Sequence, residues 1–182
     1  MRCVIFLCAL FACAAAQAST KVFILAGQSN MDGRGKKADL KGDLANWARP
    51  QKDVRIAYSD STIRGPFSTD GFVALAPGYS VAPRSKRDTF KLPGATFGPE
   101  LSFGRTIADA LPRDRIVIIK FSEGGTSLHK HWNLDQRGGL YDQCNDFVHQ
   151  RLQQLKSGGE DPELAGIVWL QGESEASLAA GE

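Results

Sequence analysis

Three apolar runs interrupt an otherwise mixed chain: "KVFILAG" (21–27), "RIVIIKFS" (115–122) and "LAGIVWLQ" (164–171). Each is rich in β-branched residues and lacks strict alternation, the pattern of strands covered on both faces in a parallel sheet. Helical periodicity lies between them. In "GPELSFGRTIADALP" (98–112), Leu101, Gly104, Ile107, Ala108 and Leu111 fall on one stripe, with Pro99 in the first turn and Pro112 as the stop. In "LYDQCNDFVHQRLQQLKSGG" (140–159), Leu140, Cys144, Phe147, Val148, Arg151/Leu152 and Leu155 share a face, and Gly158-Gly159 ends it. The order strand, insertion, helix, strand, helix, strand predicts an α/β fold. The insertion, about residues 30–97, holds one strand-like run, "DVRIAY" (53–58), and is otherwise rich in Gly, Pro, Ser and charge. An insertion of that length is expected to be functional or to form an added subdomain.

The first 18 residues change the composition that matters. "MRCVIFLCALFACAAAQA" has a cation at Arg2, a short apolar core and a small-x-small ending, the layout of a secretory signal peptide cleaved after Ala18. A lesser alternative makes Cys13 a lipidated first residue. The 164 residues after Ala18 suffice for one domain with its own core. They keep one cysteine of the four, Cys144, so no internal disulfide is expected and Cys144 reads as a small core residue. Lys and Arg number 21 there against 20 Asp and Glu, which gives no electrostatic footprint for a nucleic-acid partner. No apolar stretch after residue 18 is long enough for a membrane span. Secretion or periplasmic export is the expected localisation.

Candidate chemistry gathers where the three strands end. In open α/β sheets reactive groups collect just past the carboxyl ends of the strands. Here those ends read Gly27-Gln28-Ser29-Asn30-Met31, Ser122-Glu123-Gly124-Gly125-Thr126-Ser127 and Gln171-Gly172-Glu173-Ser174. Ser29 on a tight turn can project its hydroxyl into the crevice. Gly125 can offer a backbone N–H, and Gln171 a side-chain amide, to a developing oxyanion. Taken singly, the serine reads as a turn or cap residue, the glycines as a turn and Gln171 as a strand-end polar group. Their joint placement points to acyl transfer. The G-x-S-x-G elbow of the α/β-hydrolases is absent, because Met31 stands two residues after Ser29.

The segments "ILAGQSNMDGRG", "FGPELSFG", "IKFSEGGTSL" and "WLQGESEA" together resemble the SGNH-type hydrolases. More narrowly, they are similar to carbohydrate esterase family six, the sialate O-acetylesterase and acetylxylan esterase group. The resemblance implies a flavodoxin-like three-layer α/β/α sandwich over residues 19–182. It implies a serine esterase that removes acetyl groups from carbohydrates without a metal or other cofactor. Ser29 matches the nucleophile, and Gly125 and Gln171 the oxyanion donors beside the Ser29 N–H; a second assignment gives the glycine role to Gly98.

The same resemblance requires an Asp-x-x-His pair after the last strand, the acid orienting the imidazole that activates the serine. This sequence reaches Glu182 just past "WLQGESEA". The domain is therefore expected to be partial, with the base outside it and "GIVWLQ" left as an apolar sheet edge. Asp146-x-x-His149 precedes Gln171 and lies on the polar stripe of a helix, so His149 is expected to be solvated. His129 and His131 follow the strand-two glycines. They keep open an in-chain base or, less favoured, a metal-dependent hydrolase; a carbohydrate-binding relative that has lost its base is another alternative. Trp132 is expected to stack on sugar or pack a loop, and Glu173 to orient the third strand-end loop beside substrate.

Overall fold

The structure, a computed structural model, describes residues 18–60, 68–80 and 96–179. The expected signal segment up to Gln17 and two stretches of the insertion lie outside them. Seven strands are described: β1 (Thr20–Gly27), β2 (Gly35–Lys36), β3 (Gln51–Asp60), β4 (Val73–Leu75), β5 (Thr96–Phe97), β6 (Arg115–Ser122) and β7 (Pro162–Leu170). The α-helices are α1 (Ser29–Asp32), α2 (Glu100–Ala110), α3 (Leu128–His131), α4 (Leu140–Ser157) and α5 (Glu173–Ala179). The main sheet runs β4-β3-β6-β1-β7, and β2 pairs with β5 in a separate two-stranded ladder.

All three apolar runs are strands, and they are parallel. β1 lies at their centre, level with β6 from Thr20↔Arg115 to Gly27↔Ser122, and with β7 from Thr20↔Pro162 to Gly27↔Leu170. A register shift between Val22 and Phe23 accommodates one extra residue in β7. "DVRIAY" is more than a fragment of an insertion. It forms the middle of β3, which pairs parallel with β6 from Val54↔Ile116 to Asp60↔Ser122 and takes β4 antiparallel on its other edge.

The alternation of a strand sends successive side chains to opposite faces, and both faces of this sheet are covered. Val22, Ile24, Val117 and Ile119 pack against Leu140, Phe147 and Leu155 of α4. Leu25, Ile56, Ile116 and Ile118 pack against Leu101 and Ala108 of α2. The three-layer expectation holds. Cys144 packs at the margin of the α4 cluster, and burial pushes its thiol up to about 12. Among the described residues no helix is long and apolar enough to cross a membrane.

The parallel strands supply an edge that is apolar on one side. On the α4 face of β7, Leu164, Ile167 and Trp169 remain exposed, Ile167 by 64%. A long apolar edge invites intermolecular pairing. In a polypeptide ending at Glu182, Ile167→Lys should raise the soluble fraction while changing folding stability by less than about 0.5 kcal/mol. Light scattering on heating measures the first effect and denaturant melts the second. Unchanged aggregation would show that this edge is not the adhesive surface.

Candidate active site

The first strand end is built on a close approach. Gly27 has a φ of +153°, and a Cβ added there would lie 2.0 Å from the Leu170 carbonyl oxygen. Only glycine lets β1 leave the sheet that near to β7. The Gln28 N–H then donates to the same Leu170 oxygen at 2.9 Å. Ser29 opens the one-turn helix α1, closed by Asp32 N–H to Gln28 O (2.8 Å) and Gly33 N–H to Ser29 O (3.0 Å). Ser29 itself is half-buried. Its neighbours on both sides are tied to one carboxylate: Gln28 Nε2 donates to Glu173 Oε2 at 2.5 Å, and Asn30 Nδ2 donates to Glu173 Oε1. Glu173 begins α5, so the third strand-end segment holds the first.

The second strand end meets Ser29 through Gly124. The Glu123 N–H donates to Gly27 O at 3.1 Å. A Cβ added at Gly124 would stand 3.5 Å from the Ser29 Cβ, 3.0 Å from Asp32 Oδ2 and 3.6 Å from an Arg34 guanidinium nitrogen. A side chain there would crowd the space beside the hydroxyl. Gly125, the expected donor, follows at the exposed tip of the turn with φ +76°. Gly98, the second assignment, packs against the backbone of Asp32 and Gly33 at the other end of the turn that Ser29 begins.

The third strand end is locked to the second by Thr126. Gln171 Nε2 donates to Thr126 O at 3.1 Å, and Ser174 Oγ donates to the same oxygen at 2.9 Å. Thr126 Oγ1 donates to Glu123 O at 2.8 Å and accepts from Trp132 Nε1 at 3.2 Å. Trp132 is 5% exposed and packs edge-on against Phe121 and Trp169. Of the two roles expected for this ring, the structure gives it packing; little of it is left for a sugar to cover.

The histidines separate. His149 is exposed on the outer face of α4, as its polar stripe implied. His131 Nδ1 accepts the Ser127 N–H at 2.9 Å, and His129 is exposed with its backbone N–H 3.4 Å from Glu175 Oε1. Among the described residues no group of three or more metal-ligating side chains forms.

Sequence reasoning passed over the polar layer beneath the Ser29 turn. Asp32, Lys120 and Glu100 are all buried there. Lys120 left a signal, since a cation in the middle of "RIVIIKFS" breaks an apolar run. Burial raises the Asp32 carboxyl above its ordinary value near 3.8, against the pull of the neighbouring Ser122 hydroxyl and the positive charges of Lys120 and Arg34. Its native state thus holds a proton more readily than its unfolded state. This contribution to stability is fully present below about pH 3.8 and is lost as pH rises through the higher native value. Asp32→Asn should therefore raise Tm at pH 7 and converge with the parent protein on acidification below about pH 4. A lowered Tm at pH 7 would show that the ionised carboxylate stabilises the turn.

Comparisons with known proteins give the family and the fold. Residues 19–181 match the family described as carbohydrate esterase, sialic acid-specific acetylesterase. A probable carbohydrate esterase of Arabidopsis thaliana is 30% identical over 159 residues, which cover 85% of this chain and 54% of that protein. The chain thus spans about half the length of this curated relative. The crystal structure of the same Arabidopsis protein matches with a TM-score of 0.56 at 20% identity, over 85% of this chain and 58% of that one. The crystal structure of NanS matches with a TM-score of 0.55 at 17% identity, over 86% of this chain and 55% of that one. At those identities the structural likeness establishes the shared α/β fold. The family match over nearly the whole described chain establishes more: this chain belongs to the carbohydrate esterase, sialic acid-specific acetylesterase family.

Proposed function

We propose that the protein is a serine-dependent carbohydrate O-acetylesterase of the SGNH type, within carbohydrate esterase family six, with Ser29 as nucleophile. The observation that carries this reading is the meeting of three strand ends: Ser29 lies against Gly124, and Gln171 is fixed to the Gly124–Thr126 turn through Thr126 O. Ser29 Oγ attacks the acetyl carbonyl carbon, and the carbonyl electrons move onto oxygen. The N–H groups of Ser29 and Gly125 and the second hydrogen of Gln171 Nε2 hold that oxyanion. Collapse expels the sugar oxygen, which takes up the proton that Ser29 gave to the base. Water then attacks the acetyl-serine, acetate leaves and the hydroxyl is restored. A serine hydroxyl needs a base for the first step. The family resemblance implies an Asp-x-x-His pair following the third strand end, and the relatives extend beyond the region this chain matches.

Export completes the reading. Residues 1–18 have the signal-peptide layout, and the family match begins at Ser19. The substrate is then an acetylated glycan met outside the cytoplasm, and N-terminal sequencing of the secreted protein should begin at Ser19. A mature N-terminus at Met1 would remove the export assignment.

Activity is measured on 4-nitrophenyl acetate and on O-acetylated sugars with the full-length protein. Ser29→Ala should lower kcat by on the order of 10⁴ or more. Gln171→Ala should lower it by roughly 100- to 1,000-fold, with KM little changed. Full activity in Ser29→Ala would overturn the mechanism. An unchanged kcat in Gln171→Ala would remove that amide from the oxyanion site.

A further inference from the structure

Lys120 stands in the apolar run that forms β6 and is completely buried. A buried ammonium is costly unless its charge and all its hydrogens are met. Here they are: Lys120 Nζ donates to Glu100 Oε2 at 2.6 Å, to Tyr79 O at 2.6 Å and to Asp32 O at 3.0 Å. Glu100, also completely buried, opens α2 and accepts the Gly98 N–H on its other oxygen at 2.8 Å. A pair of well-packed apolar residues would commonly fill such a space with equal or greater stability. Space filling alone therefore does not explain two buried charges.

The third acceptor does. Asp32 O is the last carbonyl of α1, the single turn that Ser29 begins. The backbone around it is packed to contact. A Cβ on Gly98 would lie 2.5 Å from Asp32 O and 2.9 Å from Lys120 Nζ, and a Cβ on Gly33 would lie 2.0 Å from Gly98 Cα. A hydrogen bond from an ammonium is stronger than a neutral one, and this one joins the end of α1 to the strand that carries the Gly124–Gly125 turn. We propose that the Lys120–Glu100 pair is a positioning device for the reaction, fixing Ser29 relative to the Gly125 oxyanion donor that follows β6. Both side chains are buried, so neither touches substrate. They complete a two-sided hold, with Glu173 gripping the amides that flank Ser29 and Lys120 gripping the carbonyl at the other end of its turn.

The inference rests on Ser29 as the nucleophile, and its test keeps the two apart. In the full-length protein, kcat and KM for 4-nitrophenyl acetate are measured for Lys120→Met/Glu100→Gln, which removes both charges together, for Glu100→Gln alone, and for Ser29→Ala. Circular dichroism confirms folding at the assay temperature. The folded double variant should lose about tenfold in kcat with KM within about twofold and an unchanged pH profile, because a small misplacement costs rate more than binding. Glu100→Gln should lose about threefold in kcat by the same logic. A folded double variant with the parent kcat, or a rise in KM alone, overturns the proposal. If only Glu100→Gln folds, a parent kcat in it overturns the proposal equally. If neither folds, the pair serves the fold and the positioning role is rejected. Activity surviving in Ser29→Ala would instead sink the nucleophile assignment beneath it.

Discussion

The parallel register of β1 between β6 and β7 is the constraint on which the rest depends. It sets Gly27 level with Ser122 on one side and Leu170 on the other. Three segments distant in sequence therefore leave the sheet at one height and in one direction. Their polar groups have no regular strand partners there and bond to one another, as the Gln28 N–H does to Leu170 O and the Glu123 N–H to Gly27 O. The near contact at Gly27 keeps this junction tight. Displacing any one strand by a residue would reverse its side chains and separate Ser29 from Gly124 and Gln171.

Around that junction the protein spends polar groups where a core would normally hold apolar ones. Thr126 links the second and third strand ends through its backbone oxygen, while its hydroxyl joins Glu123 to Trp132 within the second end. Glu173 ties the third end to the first, and Lys120 ties the first to the second from beneath. Each link joins different elements, so the three ends brace one another. This suits a site whose donors must stand ready before charge develops, since prearranged dipoles need no reorganisation during reaction. Such a layer specifies one geometry only while all its partners are present.

Much of this was legible in sequence, and the reasons are physical. The apolar runs at 21–27, 115–122 and 164–171 were readable as strands because strands buried on both faces need no alternation. Both long helices announced themselves through their stripes and their Pro and Gly stops. "DVRIAY" was underread because it lies amid loop-like sequence, and only its pairing with β6 makes it a central strand. Gly124 and Gly125 cannot be ranked from a Gly-Gly pair; the fold decides which one faces Ser29. Trp132 carries no local mark of burial, since its neighbours Phe121 and Trp169 come from two different strands. Thr126, Gln28 and Asp32 look like ordinary turn residues until their long-range partners appear. Local pattern reports what an element can be, and the long-range partners report what it does.

The central claim is that three strand ends assemble one nucleophile and its oxyanion donors. A crystal structure of the full-length protein after reaction with an alkyl fluorophosphonate tests it most directly. The account predicts phosphorus bonded to Ser29 Oγ, with the phosphonyl oxygen about 2.7–3.1 Å from Gln171 Nε2 and from the backbone nitrogen of Gly125. An adduct on another residue would contradict the account, as would an adduct on Ser29 whose phosphonyl oxygen points into solvent away from both donors.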